Sequence, residues 1–327
     1  MITVDIRRES WPISGTFTIS RRSKTRANVV VVELTDGAAR GRGECVPYAR
    51  YGESVDSVVA EIAAIAADLE AGMDREGLQS ALKAGAARNA VDCALWDLEA
   101  KRGGKRAWQL AGLAAPPRPV VTAYTLSLDT PEQMAANARA NAALPLFKLK
   151  LTGEGDLERV AAVREAAPEA RLIVDANEGW ALDMVEPLSA ALARLGVEMI
   201  EQPLPAAEDG VLGDVSHPVP LCADESVHAR DGLSDLIGKY DMINIKLDKT
   251  GGLTEALALK QAAEEAGLDI MVGCMVATSL AIAPGLLIAQ GAKVVDLDGP
   301  LLLAEDREES LTFEGSLIHP PEPALWG

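Results

Sequence analysis

Apolar and polar positions change rhythm twice along the chain. Residues 1–50 alternate in short runs, VDIRRESW, GTFTIS, NVVVVELTDG and ARGRGEC, broken by Gly, Pro and Asp-Gly, which predicts strands joined by tight turns. From Glu53 the period lengthens. SVDSVVAEIAAIAADLEAG carries apolar residues at helical spacing and stops at Gly72. AARNAVDCALWDLEAKRGG repeats the pattern, with Ala90, Val91, Ala94, Leu95 and Leu98 on one stripe and Gly103-Gly104 as the stop. Residues 1–115 therefore read as a small α+β module, and the Pro-rich AAPPRPV at 114–120 reads as its boundary.

Beyond that boundary short apolar runs recur: VVTAYTLSL (120–128), LFKLKL (146–151), RLIVDAN (171–177), EMIEQPL (198–204), PLCADES (220–226), DMINIKLDK (241–249), DIMVGCM (269–275) and KVVDLDG (293–299). Helix-like stretches such as TPEQMAANARANA, DLERVAAVREAAP and GLTEALALKQAAEEAG lie between them. Strands apolar enough to be buried on both faces, separated by crossovers, predict a parallel sheet. Eight such repeats, with no GxGxxG after the first, point to a TIM-type barrel rather than an open dinucleotide-binding sheet. No helical pattern follows the eighth run, so the class is α/β, a (β/α)7β barrel over residues 116–310. The extended tail 311–327 is expected to return to the N-terminal module as a further strand.

Composition narrows the partners. Of 327 residues 48% are hydrophobic and 24% charged, enough for a large core. A net charge of -18 argues against a general affinity for nucleic acid or anionic membrane, though not against an anionic substrate in a locally basic site. Cys45, Cys93, Cys222 and Cys274 form no CxxC pair and read as reduced thiols. The N-terminus has no apolar leader and no stretch approaches membrane-spanning length, so a soluble cytoplasmic protein is expected. A homo-oligomer is allowed by these features but not specified.

Barrel enzymes build their sites at the C-terminal ends of the strands. Here those ends turn abruptly charged: Lys148 and Lys150, Asp175 and Asn177, Glu201, Asp224 and Glu225, Lys246 and Asp248, Asp296 and Asp298. Three carboxylates from consecutive strands, Asp175, Glu201 and Asp224, repel one another unless a cation neutralises them, and hard oxygens suit Mg2+. The bland alternative is a set of unrelated acids on loops. Lys148 and Lys150, two apart on a strand, point to the same side, where each charge lowers the other's hold on a proton, as a general base requires. Lys246 arrives from the sixth strand, across the barrel. A base on each side of one carbon permits removal of a proton from one face and its return to the other. Asp296 and Asp298 repeat the spacing with opposite sign and suit an α-ammonium group, or else act as an N-cap.

These residues carry a resemblance. GECVPYARYGES, ARNAVDCALWDLEAKRG, KLK, VDAN, EQPL, ADES, INIKLDKTGG and DLDGP, spread over nearly the whole chain, resemble the enolase superfamily, whose sites generally pair Lys or His bases with Mg2+. The two-lysine arrangement resembles the muconate-lactonising subgroup, and KLDKTGG with DLDG resembles the dipeptide epimerases, including bacterial L-Ala-D/L-Glu epimerases. The resemblance implies Mg2+ on Asp175, Glu201 and Asp224. It implies Lys150 and Lys246 as the two acid/base groups, with Lys148 holding the substrate carboxylate. Asp296 and Asp298 would take the ammonium of a dipeptide. It also makes the N-terminal module, completed by residues 311–327, a capping domain. The module's loop near residues 15–28 would close on the substrate side chain.

Dipeptide epimerases acting on glutamate tend to carry an arginine in that loop; here Lys24 stands in its place, flanked by Arg22 and Arg26. An acidic C-terminal residue is expected of the substrate, unless this basic run is a solvated turn. Thr125, Cys274 and Met275 are expected to line the pocket. The absence of a histidine at the end of the seventh strand argues against the mandelate racemase and sugar-acid dehydratase chemistries. The rivals are another two-lysine enzyme of the same scaffold (a cycloisomerase, an o-succinylbenzoate synthase or an N-acylamino acid racemase) and a non-catalytic binding protein on the same barrel.

Overall fold

The structure, a computed structural model, describes residues 2–20 and 22–327, with the backbone alone at Arg22. The N-terminal module is a three-stranded antiparallel sheet, β1 (Thr3–Ile19), β2 (Arg22–Asp36) and β3 (Ala39–Cys45), followed by helices α1 (Val55–Ala64), α2 (Ala66–Glu70), α3 (Arg75–Ala81) and α4 (Ala86–Gly103). The unbroken apolar run of β2 has a simple cause. Val30, Val32 and Leu34 pack under α1 and α4, whereas Val29 and Val31 face the barrel's main core, so both faces of the strand are buried.

Helix α4 lies directly on β3. A Cβ at Gly41 would stand 2.2 Å from the Ala94 carbonyl oxygen, and one at Gly43 would stand 2.1 Å from that of Ala90. Only glycine permits that approach. The same helix fastens the module to the barrel: Arg88 donates to the carbonyls of Thr250 and Gly251, and Asp92 accepts the N–H and hydroxyl of Thr254. From β3, Glu44 is buried against Thr278 and Arg307 of the barrel.

After the short helix α5 (Ala107–Leu110), β4 (Val120–Val121) leads into the barrel strands β5 (Tyr124–Leu126), β6 (Leu146–Lys150), β7 (Arg171–Asp175), β8 (Val197–Glu201), β9 (Leu221–Ala223), β10 (Met242–Ile245), β11 (Asp269–Gly273) and β12 (Val294–Asp296). These eight are parallel and adjacent in chain order, and the Ala123 N–H bonded to the Val295 carbonyl at 2.8 Å links the last to the first. The barrel expected from the eight apolar runs is therefore present. Helices α6 (Pro131–Ala140), α7 (Asp156–Ala166) and α8 (Leu182–Arg194) follow β5, β6 and β7. Tight 3-10 turns, Asp209–Asp214 and Arg230–Leu236, replace longer helices after β8 and β9.

Two elements differ from their patterns. The first run splits at Thr122, because β4 pairs not with the barrel but with the tail, in a small sheet of β13 (Phe313–Glu314), β14 (Leu317–Ile318) and β4. The tail adds no strand to the capping sheet; its last residues reach α4 through Trp326 Nε1, which donates to the Cys93 carbonyl. The sixth run ends as a strand at Ile245 and turns into the helical α9 (Leu247–Thr250), ahead of α10 (Leu253–Glu265).

Gly43→Ala is expected to lower stability by about 1–3 kcal/mol through forced separation of β3 and α4, read as a lower thermal midpoint by circular dichroism. An unchanged midpoint would contradict the close approach.

Candidate active site

The period of two along each strand stacks the barrel interior in layers. Ala123, just ahead of β5, and Leu146, Ile173, Met199, Cys222, Met242, Met271 and Val294, one from each of the other strands, form a single buried apolar cluster. Two residues further along stand Thr125, Lys148, Asp175, Glu201, Asp224, Asn244, Gly273 and Asp296. Apart from the glycine, this ring is polar, and each of its side chains is buried. Lys150, Lys246, Met275 and Asp298 come one step higher and line the pocket above it.

Charge fills the polar layer. Lys148 Nζ lies 2.7 Å from Glu201 Oε2, 2.7 Å from Asp296 Oδ2 and 3.3 Å from Asp175 Oδ2. Lys150 contacts Asp175 Oδ2 at 2.6 Å, and Lys246 contacts Asp224 Oδ2 at 2.6 Å. Lys249, from α9, contacts Asp224 Oδ1 at 2.6 Å. Burial alone would favour every neutral form, but the pairs overrule it at several positions. Burial pushes Asp175 up, yet Lys150 and Lys148 hold it down to about 2. Asp224 is held well below the carboxylate range by Lys246 and Lys249 against the same burial. Glu201 goes the other way, raised to about 7 by burial and then by Asp175. Lys148, expected from its pairing with Lys150 to hold its proton weakly, does the opposite: burial is outweighed by Asp296, Glu201 and Asp175, and its ammonium is raised above the usual lysine value. At Lys246, across the barrel, Asp224 and Glu201 outweigh burial in the same way. Acids outnumber amines around each of them.

Most of the expected residues meet in one pocket: Thr125, Lys148, Lys150, Asp224, Lys246, Cys274, Met275, Asp296 and Asp298 line it, with Asp175 and Glu201 beneath. Asp298 Oδ2 accepts the Thr125 N–H at 2.7 Å, and burial and Asp296 raise its carboxyl to about 7. The segment near residues 15–28 is the hairpin of β1 and β2 rather than an open loop, and its register shifts between Pro12 and Phe17. Beyond that bulge Phe17, Ile19 and Lys24 form a wall of the pocket, with Lys24 Nζ 5.7 Å from the Tyr48 ring centroid. The tip rests on the barrel through Ser20 Oγ, which donates to the Asn177 carbonyl, and Leu128 N–H, which donates to that of Thr18. Arg26 is a correction: it donates to the Ser10 carbonyl and hydroxyl, which tie it back to β1, and it does not reach the pocket. The Arg22 side chain lies outside the described residues.

Asp248 is a second correction. The turn at α9 carries it out of the barrel toward the capping module, where its Oδ1 accepts the Val46 N–H at 3.0 Å and Asn89 Nδ2 at 2.8 Å. Four residues not expected from the sequence also belong to the site: Lys249, Asn244, Tyr48 and Tyr51. Asn244 was recoverable, two residues before Lys246 on the same inward face, and Lys249 is one helical turn beyond Lys246. The tyrosines follow β3 and enter from the cap; the Tyr51 ring packs edge-on against His228 at 4.6 Å.

Family models match both parts of the chain: the mandelate racemase / muconate lactonizing enzyme N-terminal domain over residues 1–112, and the enolase C-terminal domain-like model over 132–323. The chain belongs to the enolase superfamily. It is 49% identical to an L-Ala-D/L-Glu epimerase of Escherichia coli K12, over 98% of this chain and 100% of that one. An N-acetyl-D-glutamate racemase of a Pseudoalteromonas species is 44% identical over 91% and 95%. The crystal structure of an enolase family member from Agrobacterium tumefaciens with homology to dipeptide epimerases, holding sodium and L-Ala-L-Glu, superposes with a TM-score of 0.98 at 54% identity, covering 100% of both chains. A dipeptide epimerase from Enterococcus faecalis, complexed with Mg and L-Leu-L-Tyr, gives 0.90 at 29% identity, covering 98% of this chain and 97% of that one.

Asp175, Glu201 and Asp224 offer this superfamily member oxygen donors from three adjacent strands, as a hard divalent cation requires. Among the described residues no three acids are grouped as a finished metal cage, and lysine ammonium groups stand against the oxygens of these three. Glu201 Oε2 decides the fit: it is buried, accepts no hydrogen bond among the described residues and meets Lys148 by charge alone. A buried anionic oxygen without a hydrogen bond is a fitting ligand for a cation.

Asp248 yields a stability test. Burial raises its carboxyl from near 3.8 to about 7, so the unfolded chain releases this proton first as pH rises. Its contribution to stability is present in full below pH 3.8 and is lost as pH climbs through 7. Asp248→Asn keeps an acceptor for both donors and removes that loss. The variant is expected to gain on the order of 2–4 kcal/mol over the parent at pH 8 and nothing at pH 4, measured by denaturant unfolding at both pH values. Equal differences at the two pH values would contradict a raised Asp248.

Proposed function

We propose that this chain is a Mg2+-dependent dipeptide epimerase, which inverts the α-carbon of the C-terminal residue by two-base 1,1-proton transfer, with L-Ala-D/L-Glu as its substrate. One observation carries the reading. Lys150 and Lys246 enter the same pocket from the ends of β6 and β10, four steps apart in a ring of eight strands and so across its diameter. A substrate carbon held between them presents one face to each amine. Lys150 takes the α-proton from one face while Lys246 delivers a proton to the other, and in the reverse direction the roles exchange.

Asp175, Glu201 and Asp224 would hold the Mg2+, which supplies Lewis-acid stabilisation of the negative charge developing on the substrate carboxylate. Lys148, in the polar layer below, adds a fixed positive charge on the same side. Lys246 is held protonated by Asp224 in the arrangement described, and gives up that proton readily only when the carboxylate's charge is balanced otherwise. Asp296 and Asp298, which line the pocket beside β5, would receive the dipeptide's ammonium group. The hairpin wall of Phe17, Ile19 and Lys24 then meets the C-terminal side chain. A lysine there provides a point charge for a carboxylate rather than a two-pronged fork. The activity of the E. coli relative and the L-Ala-L-Glu bound to the Agrobacterium relative support an acidic side chain.

The protein incubated with L-Ala-L-Glu and Mg2+ in D2O is expected to wash out the glutamate α-proton and form L-Ala-D-Glu, with both abolished by EDTA. Exchange confined to dipeptides with neutral side chains would refute the acidic specificity. Lys150→Ala and Lys246→Ala should each cut epimerisation by roughly 100-fold or more. Each should still exchange the α-proton of the one epimer that faces the remaining lysine. Loss of one ion pair in Asp298→Asn should lower turnover of L-Ala-L-Glu by about 10- to 100-fold. Full dipeptide turnover in that variant would remove the ammonium role and move the reading toward N-acylated substrates.

A further inference from the structure

The three acids use their two oxygens differently. One oxygen of each faces a lysine of the pocket: Asp175 Oδ2 meets Lys150, Glu201 Oε2 meets Lys148, and Asp224 Oδ2 meets Lys246. The other accepts a hydrogen bond from a group other than these three lysines. Asp175 Oδ1 accepts the Asn177 N–H at 2.8 Å, Glu201 Oε1 accepts Asn244 Nδ2 at 2.7 Å, and Asp224 Oδ1 accepts Lys249 Nζ at 2.6 Å.

Each tie is rigid. Asn177 stands at φ +46°, a left-handed conformation that asparagine tolerates, and this turn aims its N–H at Asp175. Asn244 is fully buried, and a Cβ on Gly273 would stand 2.6 Å from its Oδ1, so the amide is packed flat against the next strand. Turning that amide over would set its oxygen against the Glu201 carboxylate, which fixes the nitrogen as the donor. Lys249, 1% exposed, spends its ammonium on the Asp224 carbonyl at 2.5 Å, Asp224 Oδ1 and the Asn244 carbonyl at 3.0 Å. Three hydrogens meet three acceptors, and the side chain has no reason to move.

We infer that Asn244 and Lys249 are positioning residues that leave Glu201 and Asp224 one oxygen each turned toward the pocket lysines and open to exchange for a cation, and so make the site select Mg2+ over Ca2+. This rests on the proposed role of the three acids as the Mg2+ site. With Asp175 held likewise by a backbone amide, the protein presents three single oxygens and no two-oxygen bite. Mg2+ takes six ligands in a strict octahedron and keeps positions for water and substrate, so three single oxygens suit it. Ca2+ accepts six to eight ligands and gains most from carboxylates that bind through both oxygens. Removing a tie frees a second oxygen for the larger ion.

Isothermal titration of the full-length protein with MgCl2 and, separately, CaCl2 tests this on the parent, Asn244→Leu and Lys249→Met. Circular dichroism confirms folding of each, and Asn244→Ser, which is too short to reach Glu201, replaces any variant that fails to fold. The parent is expected to bind Mg2+ more tightly than Ca2+. In each variant Mg2+ affinity should fall by roughly 10- to 100-fold, with the preference moving at least about tenfold toward Ca2+. A general loosening of the fold would weaken both ions alike, and equal losses, or no change in the ratio, would overturn the inference. A parent that takes up no Mg2+ would instead remove the metal role of the acids.

Discussion

Mutual neutralisation of buried acids and lysines in one layer of the barrel is the constraint on which the rest of the structure depends. Asp175, Glu201, Asp224 and Asp296 cannot share a buried ring unless cations stand among them, and Lys148, Lys150, Lys246 and Lys249 provide that charge. The apolar cluster below the ring keeps water out from the N-terminal side of the barrel, and the hairpin of the capping module narrows it from above. Ion pairs so enclosed are strong but expensive to form. They persist because the strand pairing of the barrel fixes every backbone that carries them.

The capping module earns its place through contacts of the same kind. Glu44 with Arg307 and Thr278, Asp248 with Val46 and Asn89, and Asp92 with Thr254 are buried polar joints between it and the barrel. None of these groups lines the pocket walled by Phe17, Ile19 and Lys24. Attachment of the module and the recognition proposed for its hairpin therefore reside in different residues.

Much of this was legible from spacing. Apolar runs ending in charge located the barrel mouth, and the period of two placed Lys148 with Lys150, and Asp296 with Asp298, on one inner face. What spacing could not show was where a period stops. Asp248 reads as a strand residue until α9 begins at Leu247, one residue after Lys246, and the same turn brings Lys249 under Asp224. Arg26 and Lys24 share a parity, yet the register shift between Pro12 and Phe17 sends one back to Ser10 and the other into the pocket. The raised proton affinity of Lys148 depends on a count of neighbours from several strands, which a linear pattern of two lysines does not contain. Asn244 escaped for a plainer reason: an uncharged residue in an apolar strand draws no attention until its amide is seen against Glu201.

The bulge in the hairpin has a consequence for how such a protein changes over generations. Because the wall proposed to meet the substrate side chain belongs to a strand pair whose outer part is offset from the rest, residues there can be replaced without disturbing the register of the sheet behind them. The lysines proposed to handle protons sit on another part of the chain, locked by barrel pairing. A lineage can therefore explore new substrates by drift at a few hairpin positions while inheriting its chemistry intact.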